Sequence, residues 1–116
     1  MSQTYAEMLV KVKEFHDKHE FSKKENNGHD MAYRILLTIE ELGELAECFT
    51  KGKPQSEKAE ELADILILTI GHAIAMDVDL EASFNDKMKE IMTRPAIRGE
   101  LGIRVTEYQQ KKLGKY

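Results

Sequence analysis

The sequence predicts an all-α protein, a four-helix bundle completed by oligomerisation. Three observations predict it. Leu, Ile, Ala, Met, Glu and Lys dominate a chain of 116 residues with two Pro and no Trp, a composition of strong helix formers. Apolar residues recur at steps of three and four through four segments, the period of a helix with one buried face. From Ile65 onward one segment is apolar nearly all round. A helix of that kind is buried on every side, and a chain this short can hardly cover it alone, which points to subunit association.

The first helix is predicted over residues 4–19, where Tyr5, Met8, Leu9, Val12 and Phe15 recur between Lys and Glu. Residues 22–28 are polar and read as a loop. Asp30 caps the second helix, residues 31–50, in which Ile35, Ile39, Leu42, Ala46 and Phe49 form one stripe. The run Lys51-Gly52-Lys53-Pro54-Gln55 is a turn, because Gly ends helices and Pro cannot continue them. Ser56 caps the third helix, residues 57–76, and Glu57, Glu60 and Glu61 suit its positive end. Asp77 or Asp79 opens the fourth, residues 80–92. Residues 1–94 are thus one helical domain. Residues 95–116 are a basic C-terminal tail, with Arg98, Arg104, Lys111, Lys112 and Lys115 against Glu100 and Glu107. The tail reads as a short helix, an arm onto a neighbouring subunit, or a partly disordered segment.

A net charge of −4 argues against a nucleic-acid partner, which needs a basic face for phosphates. An acidic protein can still hold an anion through a metal ion. The longest apolar run, residues 65–76, is far short of the roughly 20 residues that span a bilayer, so no membrane partner is expected. Residues 1–13 lack the apolar core of a signal peptide. A single cysteine, Cys48, excludes an intramolecular disulfide, and the reducing cytoplasm is the expected location. Cys48 beside Phe49 reads as a small buried hydrophobe rather than a nucleophile, and His72 as a core histidine.

The chemistry lies in two short motifs, Glu40-Glu41-Leu42-Gly43-Glu44 and Glu60-Glu61-Leu62-Ala63-Asp64. Residues three apart are neighbours on a helix face, so Glu41 pairs with Glu44 and Glu61 with Asp64. The short turn makes the two helices an antiparallel hairpin. Counted from a turn centre near Lys53, the two pairs stand at the same level. If their faces meet, four carboxylates converge. Such a cluster repels itself unless it protonates or takes a hard divalent cation with oxygen ligands, Mg²⁺ first and Mn²⁺ as a substitute. Asp64 is the sharpest clue, because an unpaired ionised Asp beside an apolar run costs several kcal/mol. Either pair alone is more often a solvated face; both pairs, at matched levels, favour the metal.

Two rivals stand against an enzyme of this kind. A ferritin-like di-iron bundle needs Glu-x-x-His motifs, and none occurs in the chain. A non-catalytic helical interaction module would use the same acidic hairpin to bind a partner and would hydrolyse nothing.

The two motifs and their apolar flanks resemble the MazG-like, all-α nucleotide pyrophosphohydrolase superfamily, which is related to dimeric dUTPases and dCTP pyrophosphatases. Its pattern of ExxE on one helix and ExxD on the next is similar to what stands here, and the likeness covers roughly residues 15–94. Phe15-His16-Asp17 followed by Phe21 resembles the base-pocket segment of the dCTP-cleaving relatives. Asn85-Asp86-Lys87-Met88 followed by Arg94 is similar to the family's Lys and Arg on its fourth helix. The resemblance implies a MazG-like bundle that assembles as a homodimer or homotetramer. It implies hydrolysis of a nucleoside triphosphate, NTP or dNTP, to monophosphate and pyrophosphate, in housecleaning of the nucleotide pool. Glu41, Glu44, Glu61 and Asp64 would hold Mg²⁺, Glu40 or Glu41 would act as general base toward the attacking water, Lys87 and Arg94 would neutralise phosphate, and Phe15, His16 and Phe21 would line the base pocket. Ile91 stands where relatives often have Asn, and Phe21 where they often have Trp; both changes touch substrate recognition more than metal binding.

Overall fold

A computed structural model of the chain describes residues 2–106. These form four α-helices, α1 (Tyr5–Lys18), α2 (Met31–Thr50), α3 (Gln55–Met76) and α4 (Leu80–Met92), one 3₁₀ turn (Lys24–Asn26) and two short strands, β1 (Ala96–Arg98) and β2 (Ile103–Val105). They fall into two compact units, Met1–Asp79 and Leu80–Tyr116. No helix among the described residues is long and apolar enough to cross a membrane.

In the first unit α3 is the central element, with α1 and α2 both packed on it. Thr4 starts α1 through a capping box: its hydroxyl accepts from the Glu7 N–H at 3.2 Å, and the Glu7 carboxylate accepts from the Thr4 N–H at 3.1 Å. Asp30 caps α2 as its sequence predicts, accepting from the Tyr33 N–H at 2.9 Å. Gly52 closes α2 at φ 63°, and the Lys53 N–H reaches back to the Cys48 carbonyl at 2.8 Å, satisfying a carbonyl that the helix end would orphan. The next helix starts earlier than expected. Pro54, not Ser56, is the N-cap of α3, and no side chain caps it. The ring already holds Pro54 at φ −67°, and its carbonyl takes the Glu57 N–H at 3.1 Å, so the helix begins at the residue after the proline.

The stripe that α2 turns toward its neighbours differs from the one its apolar residues mark. Arg34, Thr38, Glu41, Leu45 and Cys48, at alternating steps of four and three, are the buried or half-buried side chains of one face. On α3, Lys58, Glu61, Ile65, Leu68 and His72 repeat the pattern. This is the seam of an antiparallel helix pair, and it is polar at several of its levels. Val12, Cys48, Ile70 and Ala73 are the buried apolar core. The stripe of Ile35, Ile39, Leu42 and Phe49 stays open to solvent in the single chain, with Phe49 64% exposed.

In the second unit α4 is exposed over residues 81–90. The start of the basic tail is neither helix nor irregular: β1 and β2 pair antiparallel, with Ala96 opposite Val105, Ile97 opposite Arg104 and Arg98 opposite Ile103. Gly99 and Gly102 bracket the reversal, and the Gly99 N–H donates to the Gly102 carbonyl at 2.7 Å. Two Ile-Arg pairs around a Gly-x-x-Gly turn are hairpin chemistry, which the tail's positive charge obscures. Its last part, with Lys111, Lys112 and Lys115, lies outside the described residues.

Candidate metal centre and active site

The two acidic motifs meet across the α2–α3 seam. One carboxylate oxygen each from Glu41, Glu61 and Asp64 lie within 4.8 Å of one another. Glu41 and Glu61 are half-buried on the seam, and Asp64 is exposed at its edge. The Oε2 atoms of Glu41 and Glu61 are both buried, and no donor reaches either among the described residues. A buried acceptor without a donor is rare and costly. A proton shared between the two carboxyls, or a cation, removes the cost.

The Glu41 carboxyl registers this strain. Its pKa is pushed up to about 7, first by burial, then by the shared-proton contact with Glu61, then by the charges of Glu44, Asp64 and Glu61. Glu44 is exposed and outside the group of three, yet near enough for its charge to be felt at Glu41. Without a cation, this cluster carries a proton near neutral pH. An all-oxygen, anionic donor set of this kind suits a hard divalent ion.

Beside the cluster lies an open cavity of about 630 Å³ lined by residues of α1, α2 and α3, within the size range of small-ligand pockets. Glu40, Glu41 and Asp64 stand on its wall, and Phe15, Leu66 and Ile67 supply apolar surface. Phe21 meets Phe15 edge to face at 5.2 Å and stacks on His19 at 5.8 Å. His16 is only 3% exposed, does not line the cavity, and has its Nδ1 2.8 Å from His29 Nε2. Burial, then the nearby Arg34 charge, lower its pKa to about 4, so it is neutral at physiological pH. In the second unit, Lys87 and Arg94 both bind the Glu90 carboxylate, at 3.0 and 2.5 Å.

Sequence reasoning did not single out Arg34, which is 3% exposed. Its Nε donates to His72 Nδ1 at 2.9 Å, one terminal nitrogen to the Gly28 carbonyl at 2.9 Å and the other to the Leu68 carbonyl at 3.2 Å. Arginine can only donate, so His72 Nδ1 accepts and the neutral ring carries its proton on Nε2. That N–H faces Thr38 Oγ1 at 2.7 Å, and the hydroxyl donates to the Arg34 carbonyl at 3.0 Å. The loop closes on itself, and His72, half-buried, has both ring nitrogens hydrogen-bonded. The available signal for Arg34 was its position, seven residues before Glu41 and on the same helix stripe.

No curated protein and no solved structure matches the chain. The profile of one family does: the MazG nucleotide pyrophosphohydrolase domain, over residues 31–98. The match opens on the first residue of α2 and takes in α3, the carboxylates of both motifs and α4; α1, with Phe15 and His16, lies before it. Since it spans more than half of the chain, the protein belongs to the family of the MazG nucleotide pyrophosphohydrolase domain.

Proposed function

We propose that the protein is a Mg²⁺-dependent nucleoside triphosphate pyrophosphohydrolase that releases pyrophosphate and a monophosphate from an NTP or dNTP. One observation carries this reading: in a chain of this family, oxygens of Glu41, Glu61 and Asp64 converge within 4.8 Å while two buried acceptors lack a donor among the described residues. Those residues, with Glu44 beside them, fit a hard cation, Mg²⁺ first and Mn²⁺ as its substitute. When bound, it supplies positive charge for the phosphate oxygens and makes nearby water easier to deprotonate.

The chain's own residues do the rest. Glu40, exposed on the cavity wall and outside the cluster, takes the proton of the attacking water; Glu41 is the second choice, because its carboxyl titrates near 7 only while no cation holds it. The apolar cavity seats the base and sugar, with Phe15 on its wall and Phe21 and His16 behind it. Lys87 and Arg94 exchange Glu90 for phosphate oxygens, a charge-assisted contact for one of the same kind. Residues 1–94 are the catalytic domain and 95–116 an appended tail. The exposed stripe of Ile39, Leu42 and Phe49 is the surface through which a homodimer or homotetramer would form. Removal of unwanted nucleotides in the cytoplasm is the matching role.

The test is pyrophosphate release measured over a panel of NTPs and dNTPs, with and without Mg²⁺. At least one substrate should be cleaved in a Mg²⁺-dependent way, and Glu41→Ala and Asp64→Ala should each abolish that activity in folded protein. Full activity in either variant would remove the assignment.

A further inference from the structure

We infer that Arg34, Thr38 and His72 form a polar clamp that sets the register of α2 against α3, and thereby holds the carboxylates at cation-binding separation. The inference rests on the reading of the cluster as a metal centre and adds the device that positions it. Arg34 and Thr38 occupy the two seam levels of α2 that precede Glu41. Leu68 and His72, their partners on α3, lie seven and eleven residues after Glu61. Two and three helical turns respectively bring them back to the face that Glu61 occupies. The hydrogen bonds of the clamp and the carboxylate contact are therefore successive rungs of one ladder.

Apolar seam residues can slide past one another at little cost, whereas directional polar contacts select one register. Leu45, Ile65 and Leu68 are interchangeable in that sense. The clamp is not, because a slip of one turn, about 5.4 Å, breaks the bonds from Arg34 to His72 and Leu68 and from His72 to Thr38. The same slip exceeds the 4.8 Å that now contains the three ligand oxygens. The carboxylates hold this register weakly by themselves, since a shared proton joins Glu41 and Glu61 alone and the remaining charges repel until a cation arrives. Something else must hold them together in the empty protein, and the clamp is the neighbouring group of directional bonds between the same two helices. Arg34 is also tied to the Gly28 carbonyl before α2, so the guanidinium is fixed from three sides. These are positioning residues; none belongs to the carboxylate group.

The test is Mn²⁺ binding to the full chain, followed by electron paramagnetic resonance, with thermal melting recorded in parallel. His72→Leu leaves the Arg34 Nε without an acceptor, while His72→Asn restores one at the position of Nδ1. The Mn²⁺ dissociation constant should rise about tenfold or more in His72→Leu and stay within about threefold of wild type in His72→Asn, the size of effect seen when the supports of metal ligands are removed or kept. Thr38→Val and Thr38→Ser form a second pair of the same logic and serve if His72→Leu does not fold. Wild-type affinity in a folded His72→Leu or Thr38→Val protein would overturn the clamp, and so would equal losses in the Leu and Asn variants. If wild-type protein binds no Mn²⁺ at all, the metal centre itself is wrong, a result distinct from a failure of the clamp.

Discussion

Arg34 and Glu41 lie on one stripe of α2 and meet burial in opposite ways. Arg34 has a partner for each of its nitrogens, whereas the Glu41 Oε2 has no donor among the described residues. The imbalance has a pH signature. The folded pKa of Glu41, raised to about 7, exceeds its ordinary value, so its contribution to stability is present below about 4.5 and is lost as pH rises through about 7. His16, lowered to about 4, works the other way: its contribution is present above about 6.5 and is lost as pH falls toward 4. Glu41→Gln, which mimics the protonated acid, should therefore melt higher than wild type at pH 8 without metal, and should lose the stabilisation that added Mg²⁺ gives wild type. Thermal melts at pH 5 and pH 8, with and without Mg²⁺, check both. Gly71 is the other residue on which the site leans. A Cβ there would strike the Arg34 guanidinium and come within 2.8 Å of His16 Nε2. Gly71→Ala should cost at least about 2 kcal/mol in urea unfolding, as overpacking of a dense core does. Gly43 is its control: none of the described residues lies within 4 Å of a Cβ placed there, and Gly43→Ala should stabilise α2 by up to about 1 kcal/mol.

At the scale of elements, the helices were legible because their boundaries are chemical: Asp30 before α2, and Gly52 with Pro54 between α2 and α3. The tip of that hairpin depends on Gly52 at φ 63°, and Gly52→Ala should cost about 1–2 kcal/mol by the same unfolding measurement. The acidic pairs could be read from spacing alone, because three residues are nearly one helical turn and the connecting turn is short. Their inward aim could not. The apolar stripe of Ile35, Ile39, Leu42 and Phe49 advertised a different face of α2, and the seam toward α3 instead runs through Arg34, Thr38 and Glu41. Polar residues on a seam carry no hydrophobic signature; only their partners, twenty or more residues away in sequence, reveal them. The hairpin of β1 and β2 escaped for a related reason, since three-residue strands give too few alternations to compete with a run of positive charge.

For the whole molecule, the balance of surface is the informative quantity. Ile39, Leu42, Phe49, Leu62 and Leu66 are each about half exposed or more, on the two helices that carry the site. Covering the exposed half of such a side chain contributes about 1 kcal/mol, so an association that covers all five would stabilise the protein by more than any single contact inside it. Sedimentation velocity should find a dimer or tetramer at micromolar concentration, and Phe49→Lys with Ile39→Lys should shift it toward monomer with a lower melting temperature. A wild-type chain that sediments as a monomer would remove the proposal of a homo-oligomer and leave the carboxylate cluster, built within one chain, untouched.

The central claim is that Glu41, Glu61 and Asp64 share a divalent ion, and anomalous diffraction from a crystal grown with Mn²⁺ tests it most directly. The account expects one or more anomalous peaks between those three carboxylates, with Glu44 near them. Well-ordered carboxylates with no peak between them, or a peak only elsewhere on the surface, would contradict it.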